Sequence, residues 1–193
     1  MKWNKLWKTL TRDQRLAWKT WAKNNRLRLE NGDWRLLSAP KAFALVVANR
    51  MRAWEIADPG VPPSLPNWQL NALSLDNAGP FTAGAGTMSF RAALDIAGPA
   101  KWFVWATPPL PGTESDPLRW LRFVTCLAVG TIAADALTSN FADDYRAVLG
   151  TFDGPGAEGA WPEDHFVWFA VHQSSHGQLG PGLVLKGQVQ VEL

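Results

Sequence analysis

The sequence predicts a mainly β protein with N-terminal helices. Apolar residues recur every three or four positions in the first 57 residues and every second position after residue 68, which is a change from the helical to the strand period. Four of the fourteen prolines fall within residues 58–67 and exclude a helix or an inner strand there. We therefore expect a basic helical module at 1–57, a proline-rich linker at 58–67 and a β domain at 68–193.

The charge distribution also divides the chain. Residues 1–53 hold 13 Lys and Arg against 3 Asp and Glu, whereas residues 54–193 hold 6 against 14. A basic arm and an acidic body of this kind can attract each other within or between subunits, or attract a third partner. With 47% hydrophobic and 19% charged residues, the composition is that of a folded protein.

The segment LTRDQRLAWKTWAKNN, residues 10–25, predicts an amphipathic helix. Thr11 and Gln14 have the spacing of a capping box, and Asp13 suits the positive end of the helix dipole. At 100° per residue, Gln14, Ala17, Trp18 and Trp21 share one face. The opposite face carries the cations Arg12, Arg15, Lys19, Lys23 and Arg26. Residues 3–10 keep nearly the same phase, so either one long helix runs from Trp3 or an N-terminal arm precedes a helix capped at Thr11. The local cap signal favours the break.

A turn and a second helix follow. Asn31-Gly32 is a strong hairpin turn dipeptide. Pro40 suits a first helical position, and Phe43, Val47, Arg50 or Met51, and Trp54 continue a helical spacing.

The β domain is predicted from seven short apolar segments separated by Gly- and Pro-rich breaks. The segments are WQLNALSL, GTMSFRAALD, KWFVWATP, RWLRFVTCLAVG, DYRAVLG, DHFVWFAVHQ and GLVLKGQVQVEL. No crossover helix separates them, so an antiparallel seven-stranded sandwich of immunoglobulin or fibronectin type III kind is expected. A short helix could lie at IAADAL, residues 132–137.

Nearly the whole chain resembles small phage-type and environmental bacterial proteins with a fibronectin-like C-terminal domain. The resemblance rests on LTRDQRLAWKTWA, on WRLLSAPKAFALVVANRMRAW, on the Pro-rich joint and on the segments YRAVLG and FVWFAVHQSSHGQLGPG. Its motif positions are Thr11, Gln14, Arg15, Trp18 and Asn49. Ala39 stands where that pattern has Gly. The resemblance implies a non-enzymatic virion structural protein, assembled in the host cytoplasm.

Catalytic and metal chemistry find little support in the sequence. His172 and His176 have the H-x3-H spacing of some zinc sites, but only His165 and the single Cys126 could complete a ligand set. Cys126 lies in an apolar run and is expected to be buried, and it excludes an internal disulfide. The pairs Asp143-Asp144 and Glu163-Asp164 flank predicted strand ends, and Ser174 and Ser175 lack a nucleophile-elbow motif. We expect no enzyme, no cofactor and no metal.

The basic helix face is the strongest functional signal. We expect Trp18 and Trp21 to anchor on other copies of the chain or other virion proteins, while Arg12, Arg15, Lys19, Lys23 and Arg26 set the register. Three alternatives are sequence-neutral binding of nucleic acid, an anionic membrane, and glycan binding through an exposed Trp120 or Trp161. The sequence has neither a signal peptide core nor a run of about 20 apolar residues, so we expect no secretion and no membrane span.

Overall fold

The structure is a computed structural model of the chain. It describes residues 3–30, 32–55, 58–64, 75–77, 81–82, 88–92, 100–129, 133, 136–150 and 165–190. Two compact units divide the chain: the first comprises Met1–Trp68 and Gln173–Pro181, and the second comprises Gln69–His172 and Gly182–Leu193. N-terminal helices and a mostly antiparallel β-sheet confirm the mainly β class with N-terminal helices.

The first unit contains three helices and a small hairpin. The helices are α1 (Trp3–Thr9), α2 (Arg12–Asn24) and α3 (Ala39–Arg52), and β1 (Leu27–Arg28) pairs antiparallel with β2 (Trp34–Arg35). The predicted capping box is present: the Thr11 hydroxyl accepts from the Gln14 N–H, and the Gln14 side chain accepts from the Thr11 N–H. Because this cap closes the start of α2, the chain breaks between α1 and α2 as predicted.

Aromatic rings hold the core of the first unit together. Trp18 is fully buried, and its ring packs edge-to-face on Phe43 of α3 at 5.3 Å and on Trp21 at 5.5 Å. Trp7 of α1 packs on the same Phe43 at 5.3 Å. All three helices thus meet at Phe43, a contact that buries large apolar surface and adds ring-pair geometry.

The proline-rich stretch packs on these helices in its first half. The Trp18 indole N–H donates to the Pro59 carbonyl at 3.1 Å, and an Arg50 guanidinium N–H donates to the Val61 carbonyl at 3.2 Å. Pro59, Pro62 and Pro63 have no backbone N–H, and the Gly60 and Val61 N–H groups donate to Asp58. The helices bind carbonyls of this segment instead. Residues 58–64 therefore form a strap on the first unit.

The second unit is built from strands and one helix. Its strands are β3 (Leu75–Asn77), β4 (Phe81–Thr82), β5 (Phe90–Ala92), β6 (Ala100–Ala106), β7 (Leu110–Pro111), β8 (Arg122–Val129), β9 (His165–Ser175) and β10 (Gln178–Gln190). In the described residues, a six-stranded sheet has the order β4-β10-β9-β6-β8 with β7 also on β9, and β3 pairs with β5. The predicted strand WQLNALSL lies outside the described residues except for Leu75. The tip of the β9–β10 hairpin, residues 173–181, belongs to the first unit.

Strand β6 is buried on both of its faces. Trp102 and Val104 point into the main core of the unit, while Phe103 and Trp105 form a second cluster with Phe123. A register shift between Val104 and Trp105 interrupts the antiparallel pairing with β8. The continuous apolar run of this strand is explained by its double burial.

The segment DYRAVLG was predicted to be a strand, and that prediction is wrong. It forms α4 (Ala142–Leu149). At the start of the helix, the Asn140 side-chain oxygen accepts a hydrogen bond from the Ala142 N–H. Gly150, with φ of +79°, follows the last helical residue. Ala142 and Tyr145, one turn apart, are buried in the core. Of the possible helix at 132–137, residues 132, 134 and 135 lie outside the described residues, and the other three are not helical.

The predicted strands DHFVWFAVHQ and GLVLKGQVQVEL leave residues 174–181 between them, and the structure extends both strands into this stretch. β9 runs through Ser175, β10 begins at Gln178, and only His176 and Gly177 form the turn. Their φ angles of +51° and +78° give the type I′ geometry that matches the twist of two-residue hairpins. Asn49 Nδ2 donates to the Gly177 carbonyl at 3.1 Å, which ties this turn to α3 within the first unit.

Tyr145, the only tyrosine, is expected to make the stability of the second unit fall at alkaline pH. Burial raises the pKa of the Tyr145 phenol, whose hydroxyl donates to the Thr107 carbonyl at 2.8 Å. The neutral phenol is favoured in the folded state, so its contribution is present below the unfolded pKa of about 10 and is lost as the pH rises above it. We expect phenolate absorbance to appear only together with alkaline unfolding.

The matched variant is Tyr145→Phe. Its free energy of unfolding at neutral pH should be about 1–2 kcal/mol lower than that of the wild type, because the Thr107 carbonyl loses its donor. Above a pH of about 10, its stability should fall less steeply with pH than that of the wild type. Denaturant unfolding at neutral and alkaline pH measures both effects. Phenolate titration in the folded wild type near the ordinary tyrosine pKa would contradict the assignment.

Candidate functional site: the exposed face of the N-terminal helices

One row of side chains on α2 faces solvent. Arg12, Leu16, Lys19 and Lys23 follow the i, i+4, i+7, i+11 spacing that aligns residues along a helix, and all four are exposed. We call these four residues the cationic row. Leu16 is 60% exposed, so an apolar side chain stands among the three cations.

The cations of α1 and α2 have no ion-pair partner among the residues that the structure describes. This holds for the exposed Lys5, Lys8, Arg12, Lys19 and Lys23, for the half-buried Arg15, and for Arg26 beyond the helix end. The face predicted from the sequence as basic therefore lies on the surface. Positive charge is concentrated there, and Asp13 is the one acidic side chain of α2.

Other arginines of the same unit are bound by the protein itself. Arg52 pairs with Glu30 at 2.9 Å, and Arg35 pairs with Asp33 at 3.2 Å. Arg28 donates to the Gly32 and Gly180 carbonyls, at 3.1 and 2.9 Å. These contacts give three of the unit's arginines structural roles, in contrast to the cationic row.

Arg50 is a further structural cation. Its Nε donates to the His176 carbonyl at 3.3 Å. Burial lowers the pKa of the Arg50 guanidinium, and the nearby carboxylates Glu55 and Asp58 oppose that shift. An arginine remains protonated in proteins, so Arg50 supplies buried donors for carbonyl oxygens.

The two tryptophans predicted to bind a partner have different environments. Trp18 is fully buried in the core of its own unit, so its indole offers no surface to a partner in this conformation. Trp21 is half-buried and borders an open groove. Trp18 thus holds α2 in place, and Trp21 is the indole that an incoming side chain can contact.

The groove runs beside the cationic row. Its volume is about 800 Å³, within the range of about 300–1,000 Å³ found for ligand pockets. One wall is α2, from Asp13 to Asn24, and the other includes Pro62 and Pro63 of the strap. Leu16 belongs both to the groove and to the cationic row, so apolar surface and positive charge adjoin.

The other candidate residues lie in β9, its turn, β8 and α4, or outside the described residues. His172 is buried in β9, and His176 occupies the hairpin turn. Within the described ranges, no group of three His, Cys, Asp or Glu side chains could hold a metal ion. Cys126 is buried in β8, as expected. Asp143 and Asp144 lie in the first turn of α4, where they suit the helix dipole, and Glu163, Asp164 and Trp161 lie outside the described residues.

The membrane and glycan alternatives concern the N-terminal helices and the exposed tryptophans. No helix in the described part of the chain is long and apolar enough to cross a bilayer. Trp120 is 38% exposed and is stacked by the Arg119 guanidinium at 5.0 Å from the ring centroid.

Comparisons with protein-family models, with curated proteins and with solved structures returned no match to this chain. A function is therefore argued from the surface chemistry of α2. Sequence reasoning found the cations of this surface but missed the groove. The only signal for the groove was the pair Pro62-Pro63, which was interpreted as part of a linker.

Proposed function

We propose that this chain is a non-enzymatic structural protein that assembles with neighbouring subunits through the cationic row of α2. The observation that carries the proposal is the concentration of exposed cations on α1 and α2, which have no ion-pair partner in the part of the chain that the structure describes. Cations that a fold leaves uncompensated on one face favour an anionic partner and accelerate its approach. The resemblance of the helix motifs to phage-type proteins favours a virion as the assembly.

The cationic row is well suited to docking because its geometry is fixed before a partner arrives. The capping box closes the start of α2, and Trp18 anchors its inner face on Phe43. A pre-ordered surface loses little conformational entropy on binding. In this proposal Trp18 builds the platform, the cations orient the partner, and Leu16 with Trp21 supplies apolar contact.

In this proposal, the second unit is the acidic body of each subunit. The described six-stranded sheet and the additional β3–β5 pair are compatible with two packed layers. A fibronectin type III-like sandwich stays part of the proposal. Such a body displays loops and helices at its edges that a neighbouring copy can contact.

Nucleic acid is the second candidate partner, because the same unpaired cations could bind phosphates. The two candidates differ in what the purified chain does alone. Docking between subunits predicts self-association, whereas phosphate binding predicts a monomer that binds DNA of any sequence with a steep dependence on salt.

Light scattering on the purified chain tests the proposal. We expect a molar mass well above that of the 21.3 kDa chain at low salt, decreasing toward it in about 1 M salt, where charges are screened beyond about 3 Å. A chain that stays monomeric at low salt up to high protein concentration would contradict docking between copies. A monomer that also binds duplex DNA would favour the phosphate alternative.

A further inference from the structure

The structure leaves exposed, in the second unit, a helix face of the opposite charge. Asp143 and Asp144 open α4, and Ala147 and Val148 follow one turn later; all four are exposed. Asp143 has 93% of its side chain exposed although it pairs with Arg146, and Val148 is 45% exposed. We call Asp143, Asp144, Ala147 and Val148 the acidic row.

The acidic row complements the cationic row in charge and has the same spacing between a charged and an apolar side chain. Asp144 has no ion-pair partner within the described residues. It stands four positions before Val148, as Arg12 stands four positions before Leu16. Each helix therefore shows a charge and an apolar side chain about 6 Å apart along its axis.

We propose that α4 of one copy docks on α2 of a second copy. This inference rests on the proposed function and names the partner surface. Val148 enters the groove next to Leu16 and Trp21, and the two carboxylates face Arg12, Lys19 and Lys23. Charge complementarity favours α4, because this helix carries a carboxylate without an ion-pair partner among the described residues and an exposed apolar residue one turn later.

The proposed contact joins two different surfaces, and every copy offers one α2 and one α4. Such contacts close into a ring or continue as a filament. The smallest closed form is a dimer in which α4 of each copy docks on α2 of the other.

Charge-reversed variants test the docking in solution. One variant is Lys19→Glu with Lys23→Glu, and the other is Asp143→Lys with Asp144→Lys. Each alone should remain monomeric, since like charges face each other. An equimolar mixture should associate, because the unaltered α4 of the first variant meets the unaltered α2 of the second. Molar mass by sedimentation gives both results, and far-UV circular dichroism checks that each variant is folded.

The outcomes separate this inference from the proposed function. If only the α2 variant loses association, the partner surface is not α4, and the proposed function stands without this inference. If both variants associate like the wild type, the proposed function fails too. If the mixture of folded variants stays monomeric, the docking of α4 on α2 is wrong.

Val148→Ala provides a test that leaves all charges in place. It removes about two methyl groups of apolar contact, so association should weaken by about tenfold. The exposed Leu137, at 53%, gives a matched control as Leu137→Ala, which should associate like the wild type. Equal association of both variants with wild-type strength would overturn the insertion of Val148 into the groove.

Discussion

Replacing Trp18 by Ala should unfold the N-terminal helical unit or come close to it. The side chain is fully buried against Phe43 and Trp21, and its N–H is the donor to the Pro59 carbonyl. Large-to-small changes of buried tryptophan cost about 3–5 kcal/mol, and the orphaned carbonyl adds about 1 kcal/mol. This total is a large part of the stability of a typical domain, about 5–15 kcal/mol.

Thermal and denaturant unfolding followed by far-UV circular dichroism measures this effect. Trp54→Ala is the matched control, because Trp54 is 72% exposed and its truncation should change stability by at most about 0.5 kcal/mol. Trp21→Ala should give an intermediate loss, as its ring is half-buried. Equal stabilities for Trp18→Ala and Trp54→Ala would show that Trp18 does not hold the helices together.

The sequence could predict the features that depend on neighbouring residues. The capping box of Thr11 and Gln14 is a contact across three positions, and the exposed cations follow from the helical period of α2 alone. The sequence also placed Trp18 on the apolar face of the helix. It did not identify what packs on that face, because Trp18 and Phe43 are far apart in the chain and a partner or another helix could equally have filled this role.

The wrong strand prediction at α4 rested on a short apolar run and ignored the residues that signal the start and end of a helix. Val148 and Leu149 suggested a strand, but Asn140 before the helix, acidic residues in its first turn and Gly150 after it are start and stop signals. A helix of eight residues gives little periodicity, so these end signals should have decided. The acidic row was missed together with the helix.

The hairpin of β9 and β10 was missed for a different reason. A type I′ turn needs positive φ at both central residues and is usually Asn-Gly or Asp-Gly. Here His176 takes the first position, with φ of +51°. A second constraint requires glycine at position 177: an added Cβ would lie 2.4 Å from the Val46 carbonyl oxygen of α3. Only the packing on α3 reveals that requirement.

Reversing Lys19 and Lys23 to Glu should abolish self-association without destabilising the fold. Both side chains are exposed on α2 and have no ion-pair partner among the described residues, so the free energy of unfolding should change by at most about 0.5 kcal/mol. Association should be lost because two attractions in the docking contact become repulsions. The measurement is molar mass by light scattering at low salt, with circular dichroism melts alongside.

A control variant distinguishes the effect of where the charges are changed from the effect of the net charge. Lys41→Glu with Arg122→Glu reverses two exposed cations elsewhere on the chain and gives the same net charge. Since neither residue lies in the cationic row, this variant should associate nearly as the wild type does. The comparison holds the charge of the whole protein constant.

The most direct test of a docking surface on α2 is therefore the molar mass of these two equally charged variants, measured side by side at low salt. We predict a monomer for Lys19→Glu with Lys23→Glu and an assembly for Lys41→Glu with Arg122→Glu. Equal molar masses for the two folded variants would show that association depends only on net charge, or not on α2 at all, and would contradict the proposed docking surface.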